Sequence, residues 1–138
     1  MKGLLLAIKN ELSGLFTGLR DSDIYLLPDA NILPDGARLP CIGIKDGKTG
    51  ISELPCDTLL NTLPVEVYCF DKLVSGDDCI LDFLDKGKLI FDKLRGNDLT
   101  GYVREVSPIS ATPIDLMYTK TGLILRKGYF FEYEKLEE

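Results

Sequence analysis

Residues 65–94 narrow the possible folds more than any other part of the chain. Val65, Val67 and Cys69 alternate with Glu66, Tyr68 and Phe70, the two-residue period of a pleated strand. Ser75-Gly76-Asp77-Asp78 then reads as a capping box, with the Ser75 hydroxyl accepting from a free amide and the Asp78 carboxylate reaching back. Beyond it Ile80, Leu81, Phe83, Leu84, Ile90, Phe91 and Leu94 recur at helical spacing, with Asp82, Asp85, Lys86, Lys88 and Asp92 between them. This predicts a helix over 78–95. Asp77 and Asp78 suit its positive end, Lys93 and Arg95 its negative end, and Gly96-Asn97 its stop. A strand joined to an amphipathic helix by so short a link requires the helix to lie back on a sheet.

The flanking segments supply that sheet and a second helix. Leu5, Ile8, Leu12, Leu15, Phe16 and Leu19 form one stripe, opposed by Lys9, Asn10, Glu11 and Ser13, which predicts a helix over 2–20. Gly14 and Gly18 weaken it by roughly 1 kcal/mol each relative to Ala, so packing must hold it in place. Asp21-Ser22-Asp23 ends the helix, and residues 24–27 read as a short strand. Pro28, Pro34 and Pro40, with Asp35-Gly36 as a turn signal, make 28–40 a long surface loop, either a partner contact or a passive connection. Cys41–Lys45 and Ile51–Leu54 read as two strands of a hairpin about Asp46-Gly47. Pro55 and Pro64 bracket a short connection with one helical turn at 57–61.

The C-terminal third reads as strands. Tyr102–Val106 starts one that Pro108 and Pro113 either confine to a sheet edge or break. Ile114–Tyr118 and Leu123–Arg126 flank Thr119-Lys120-Thr121-Gly122 as a hairpin, and Tyr129–Tyr133 continues past a bulge expected at Gly128. The acidic run from Glu134 to Glu138 is expected to fray. Tyr129, Phe131 and Tyr133 share a strand face with Leu123 and Leu125. The opposite face carries Ile124, Arg126, Phe130, Glu132 and Glu134, a mixture that fits a subunit interface or a half-exposed sheet face. The expectation is therefore α+β: one mainly antiparallel sheet packed against two helices (2–20 and 78–95), residues 1–138 forming a single domain.

Several function classes are disfavoured. A net charge of −6 with dispersed Lys and Arg argues against specific nucleic-acid binding. The apolar run at 3–8 is too short for a signal peptide and no cleavage site follows it; no run approaches the ~18 residues of a membrane span. No membrane partner and a cytoplasmic origin are expected. The sequence contains no histidine, so a Ser-His or Cys-His nucleophile pair is excluded within one chain. Cys41, Cys56, Cys69 and Cys79 form no C-x-x-C; they read as reduced thiols, with a four-thiolate metal site or paired disulfides as alternatives. The pairs Asp21/Asp23, Asp77/Asp78 and Asp82/Asp85 lie beside helix ends or on a polar helix face, where solvated charge is the default. No catalytic, metal-binding or cofactor-binding residue is assigned, and no enzyme activity is expected.

The order of elements resembles the tail-terminator and tail-completion proteins of long-tailed bacteriophages and prophages. The resemblance lies in the opening helix with Leu5, Ile8, Leu12 and Leu15, the Pro-rich segment after it, Leu39-Pro40-Cys41-Ile42-Gly43-Ile44, Val65-Glu66-Val67-Tyr68 feeding a helix, and a closing strand. The cysteines are a departure, since that family does not require them. The resemblance implies a virion structural protein of the head–tail junction that oligomerises with itself into a ring, typically a hexamer, capping the tail tube. Its partners would be tail-tube and head-connector proteins; it would occupy the host cytoplasm during assembly and then the virion tail. A heterologous interface is needed for such a ring. Pro28, Asp29, Pro34, Asp35, Arg38, Asp46, Lys48, Lys120, Arg126 and Phe130 are the candidate interface residues. The alternative is a small bacterial protein-binding adaptor or regulatory domain without catalysis.

Overall fold

A computed structural model describes residues 1–120 and 122–137. Its centre is a pair of long antiparallel strands, β4 (Thr58–Lys72) and β7 (Gly122–Glu137), in continuous register from Leu59↔Glu137 to Lys72↔Ile124. Shorter strands flank this pair. β1 (Ile24–Leu26) runs parallel to β2 (Cys41–Asp46), which pairs antiparallel with the second half of β4; β3 (Gly50–Leu54) pairs with the first half. On the other side β5 (Glu105–Ala111) and β6 (Asp115–Thr119) pair with β7. Two helices, α1 (Lys2–Leu12) and α2 (Asp77–Leu94), accompany the sheet. The fold is α+β, with a mainly antiparallel sheet and two helices as the sequence predicts.

Strand alternation divides the side chains between two faces. Leu63, Val65, Val67 and Cys69 of β4 join Leu125, Tyr129, Phe131 and Tyr133 of β7 in the core with Leu4, Ile8 and Leu12 of α1 and Phe83, Ile90 and Leu94 of α2. A smaller core lies on the other face, where Tyr68, Phe70, Ile124 and Met117 meet Cys41 and Leu27, with Leu33, Leu39 and Phe130 packed against them.

Several local expectations are corrected. The first helix ends at Leu12, not residue 20: Ser13 leaves helical geometry, and Gly14 and Gly18 adopt φ of +68° and +88°. Glycine enters that region at low cost, so the stripe breaks there, yet Leu15, Phe16 and Leu19 still pack on the core. The buried positions of α1 begin at Leu4, with Leu5 only partly buried. The N-cap of α2 is Gly76 (φ 111°), not Ser75, and no side chain caps it. Asp77 and Asp78 nonetheless occupy its first turn, where the helix dipole favours them.

β2 and β3 do not form a hairpin with each other; both pair with β4. Pro64 sits at the junction between them. Proline offers no N–H, and this is the point where one neighbour gives way to the next, while its carbonyl accepts from the Gly47 N–H at 2.8 Å. Residues 58–61 are therefore strand, not a helical turn, and the true hairpin is β3–β4, reversed at Cys56 and Asp57 with φ of 66° and 58°. Residues 102–104 precede β5, whose register shifts between Pro108 and Ser110. Gly128 carries no bulge against β4: the Tyr68 ring lies where a Cβ would stand, 2.7 Å from that position, and the register runs through. The acidic end does not fray through Glu137, because residues 134–137 pair with β4. Glu138, and Thr121 in the expected hairpin turn, lie outside the described residues.

Candidate interaction surface

The Pro-rich segment 28–40 is a fitted cover over the smaller core. Leu27 begins it with an N–H to the Ile44 carbonyl (2.8 Å), and Gly43 permits the close approach: a Cβ there would stand 2.2 Å from Leu27 Cδ1. The Asp29 carboxylate accepts from the Asn31 N–H at 2.8 Å, and the Ala37 N–H donates to the Pro34 carbonyl at 3.1 Å; both are local turns. Leu33 and Leu39 point inward onto the sheet.

Two arginines fasten this cover. Arg126 donates through Nη1 to the Ala30 carbonyl (2.9 Å) and Asn31 Oδ1 (2.6 Å), and through Nε and Nη2 to the Asp115 carboxylate at 3.1 and 2.7 Å. The planar fork thus binds the loop and β6 together, a geometry lysine cannot reproduce. At the other end Arg38 donates to the Gly18 carbonyl and, at 2.9 Å, to Asp23. Asp23 is 0% exposed and also accepts from the Arg20 backbone N–H and guanidinium at 3.0–3.2 Å. The Arg20 hydrogen bond, more than burial opposes it, holds the Asp23 carboxyl well below the usual carboxylate range.

Between residues 31–39 and the β6–β7 hairpin lies a groove of about 470 Å³, lined by Ile32, Leu33, Leu39, Met117, Tyr118 and Ile124. Lys120 and Asp35 pair across its rim at 2.9 Å, both about four-fifths exposed. Tyr118 is 83% exposed.

The structure separates the ten candidate interface residues into four groups. Asp35 and Lys120 line the groove, with Pro34 beside them. Pro28, Asp29 and Arg38 are exposed on the same loop. Arg126 and Phe130 are half-buried beneath it, Phe130 edge-on to Tyr68 with ring centroids 6.1 Å apart. Asp46 and Lys48 do not join them. Asp46 is opposite Val65 and Cys41 opposite Phe70, so Asp46 and Lys48 are exposed at the far end of β2, away from the loop. Sequence reasoning missed the groove-lining Ile32, Met117 and Tyr118. It also missed the β3–β4 hairpin, exposed along β3 with Ile51 at 66%. The alternation of Leu116 and Tyr118 with Met117 was the available signal, a strand apolar on both faces.

The lining of the groove is mainly apolar, with Asp35 and Lys120 as its charged pair. All four cysteines are free; burial pushes the Cys41 thiol up to about 12 and raises that of Cys69 further. Burial likewise pushes the Tyr129 hydroxyl up to about 12. Among the described residues no three His, Cys, Asp or Glu are placed to hold a metal ion, and no helix is long and apolar enough to cross a membrane.

No protein-family model matches the chain, and no curated protein does. A chain from the virion of a native gene transfer agent particle is similar in structure, with a TM-score of 0.58 at 10% sequence identity over 97% of this chain and 95% of that one. At that identity the likeness is one of fold.

Proposed function

We propose that the protein is a structural subunit of a phage-like particle, and more specifically a tail-terminator-like subunit of the head–tail junction that assembles into a ring on the tail tube. The observation that carries this reading is the shared fold with a virion chain over nearly the full length of both chains. The role is one of assembly, not catalysis. The chain acts as one domain, built in the host cytoplasm and carried into the virion tail, with tail-tube and head-connector proteins as partners.

Two features of the surface support it. The chain presents unlike exposed regions, the apolar groove beside the Pro-rich loop and the β3–β4 hairpin, as a heterologous interface demands. Pro28, Asp29, Pro34, Asp35, Arg38 and Lys120 would supply contacts at one junction and Asp46 and Lys48 at another, with Arg126 and Phe130 supporting from beneath. The register also places Glu66, Glu105, Glu132 and Glu134 on the loop-covered side of the sheet. A face of that charge, turned toward a ring lumen, would not retain passing DNA.

Solution mass by light scattering across protein concentration, with negative-stain images of large species, tests the proposal. A discrete closed ring, six subunits in the first instance, is expected. A strict monomer that also fails to bind a purified tail tube would sink it. The apolar groove favours one second reading, a small protein-binding adaptor. Such an adaptor would stay monomeric, and its gene would lack tail-tube and head-connector neighbours.

A further inference from the structure

We infer that the β3–β4 hairpin of one copy seats in the groove between residues 31–39 and β6–β7 of the next, forming the head-to-tail contact between copies of this chain. This rests on the ring reading above and identifies the two surfaces that meet.

The hairpin has the form of a donor. All of β3 is exposed, and it carries Ile51 (66% exposed) and Leu54 outside any core cluster. Among the described residues β3 pairs with β4 alone, leaving one edge open. Edge strands are commonly protected by proline, bulges or lysine. β5, an edge on the other side, carries Pro108 and a register shift; β3, Gly-Ile-Ser-Glu-Leu, has none of these devices. This open edge has Glu53 as its one charge and leaves Ile51 and Leu54 available to another chain.

The groove is a matching acceptor. Its lining is mainly apolar, and Tyr118 stands almost free at its side. Charge agrees as well. Residues 49–71 contain Glu53 and Asp57 near the hairpin tip and no lysine or arginine, whereas the rim of the groove bears Lys120. Among the described residues Lys120 pairs with the exposed Asp35, and a solvated pair of that kind contributes little, so it can exchange for a carboxylate of the incoming hairpin.

Placement rules out self-satisfaction. The hairpin lies beside residues 134–137 of β7 through its pairing with β4, and β6 lies beside residues 122–126. At ~3.3 Å per residue, about eleven residues separate the two sites by on the order of 35 Å. A hairpin therefore cannot fill the groove of its own subunit. Two unlike patches at opposite ends of one sheet make a heterologous contact, and such contacts close into rings or continue as filaments.

The test is complementation between two variants that each lose one surface. Ile51→Asp damages the hairpin and Tyr118→Asp the groove; both positions are exposed, and circular dichroism and a thermal melt check that the fold survives. Each variant alone should self-associate at least tenfold more weakly than the wild type. An equimolar mixture should form a heterodimer of twice the monomer mass and nothing larger, because one good hairpin meets one good groove. If either variant fails to fold, Leu54→Asp and Ile32→Asp replace the pair. Variants that assemble like wild type, or a mixture that remains two monomers, would overturn the contact while leaving a wild-type ring intact. A wild type that is monomeric at every concentration and does not bind a tail tube overturns the contact and the ring reading together.

Discussion

The two faces of the central sheet are covered in different ways. On one, α1 and α2 lay apolar stripes over Val65, Val67, Leu125, Phe131 and Tyr133. On the other, a Pro-rich loop covers Tyr68, Phe70, Met117 and Ile124 with few inward side chains and is fastened by Arg126 and Arg38. The first cover is held by area removed from water, the second by directed polar contacts at its margins. The helix side should therefore carry global stability. The loop side should open first and at lower free energy, which suits the docking role proposed for it.

The largest expected effect lies on the helix side. Phe83 is 1% exposed in the α2–sheet core, so Phe83→Ala should destabilise the protein by ~3–5 kcal/mol through lost burial and the cavity left behind. Urea denaturation would report it as a lowered midpoint with little change in slope. A loss below about 1 kcal/mol would mean that the helices are not the principal cover.

Next comes the clasp that Asp23 makes with Arg38, at the end of the loop. Asp23→Asn removes the charge that binds Arg20 and Arg38 and should cost ~1–3 kcal/mol near neutral pH. The pH dependence has a definite sign. Because the folded-state carboxyl titrates below its unfolded value of ~3.9, its contribution is complete above that pH and is lost as pH falls toward the folded value. The stability gap between wild type and variant should thus narrow below about pH 4. A gap that widens in acid would contradict the arrangement.

The contrast between the faces also explains what the sequence could reveal. The helix-side core was legible because it repeats: period two in Val65, Val67, Cys69 and in Tyr129, Phe131, Tyr133, and helical spacing in Phe83, Ile90 and Leu94. Gly14 announced the weakness in the first helix but not that it would end the helix at Leu12. Pro64 misled for a physical reason. Proline argues against a central strand, yet β4 tolerates it where its flank changes from β2 to β3. The groove was legible only in part: Pro34, Asp35 and Lys120 stood among the candidate contacts, but Ile32 lies far in sequence from Met117 and Tyr118, and the two segments meet only through tertiary packing.

A smaller effect should separate local from global opening. Arg126→Lys keeps the charge but loses the fork that joins Asp115 to Ala30 and Asn31. It should lower global stability by only about 1 kcal/mol. Amide hydrogen exchange should nevertheless quicken severalfold within residues 29–37 and stay unchanged in α2. Equal acceleration in both regions would show that the loop-covered face does not open independently.

The smallest effect is a gain. Glu105 lies directly across from Glu134 on neighbouring strands, and like charges so placed repel. Glu134→Gln should stabilise the isolated subunit by ~0.2–1 kcal/mol, most clearly at low salt, where screening is weakest. Neither helix touches this pair through the register, so the gain tests the electrostatics of the loop-covered side alone. Such a repulsion is what the proposed lumen-facing role for this side would accept. If the variant stabilises the subunit but impairs passage of DNA through reconstituted tails, the acidic side faces the lumen; a variant with unchanged tail function would remove that role and leave only the repulsion.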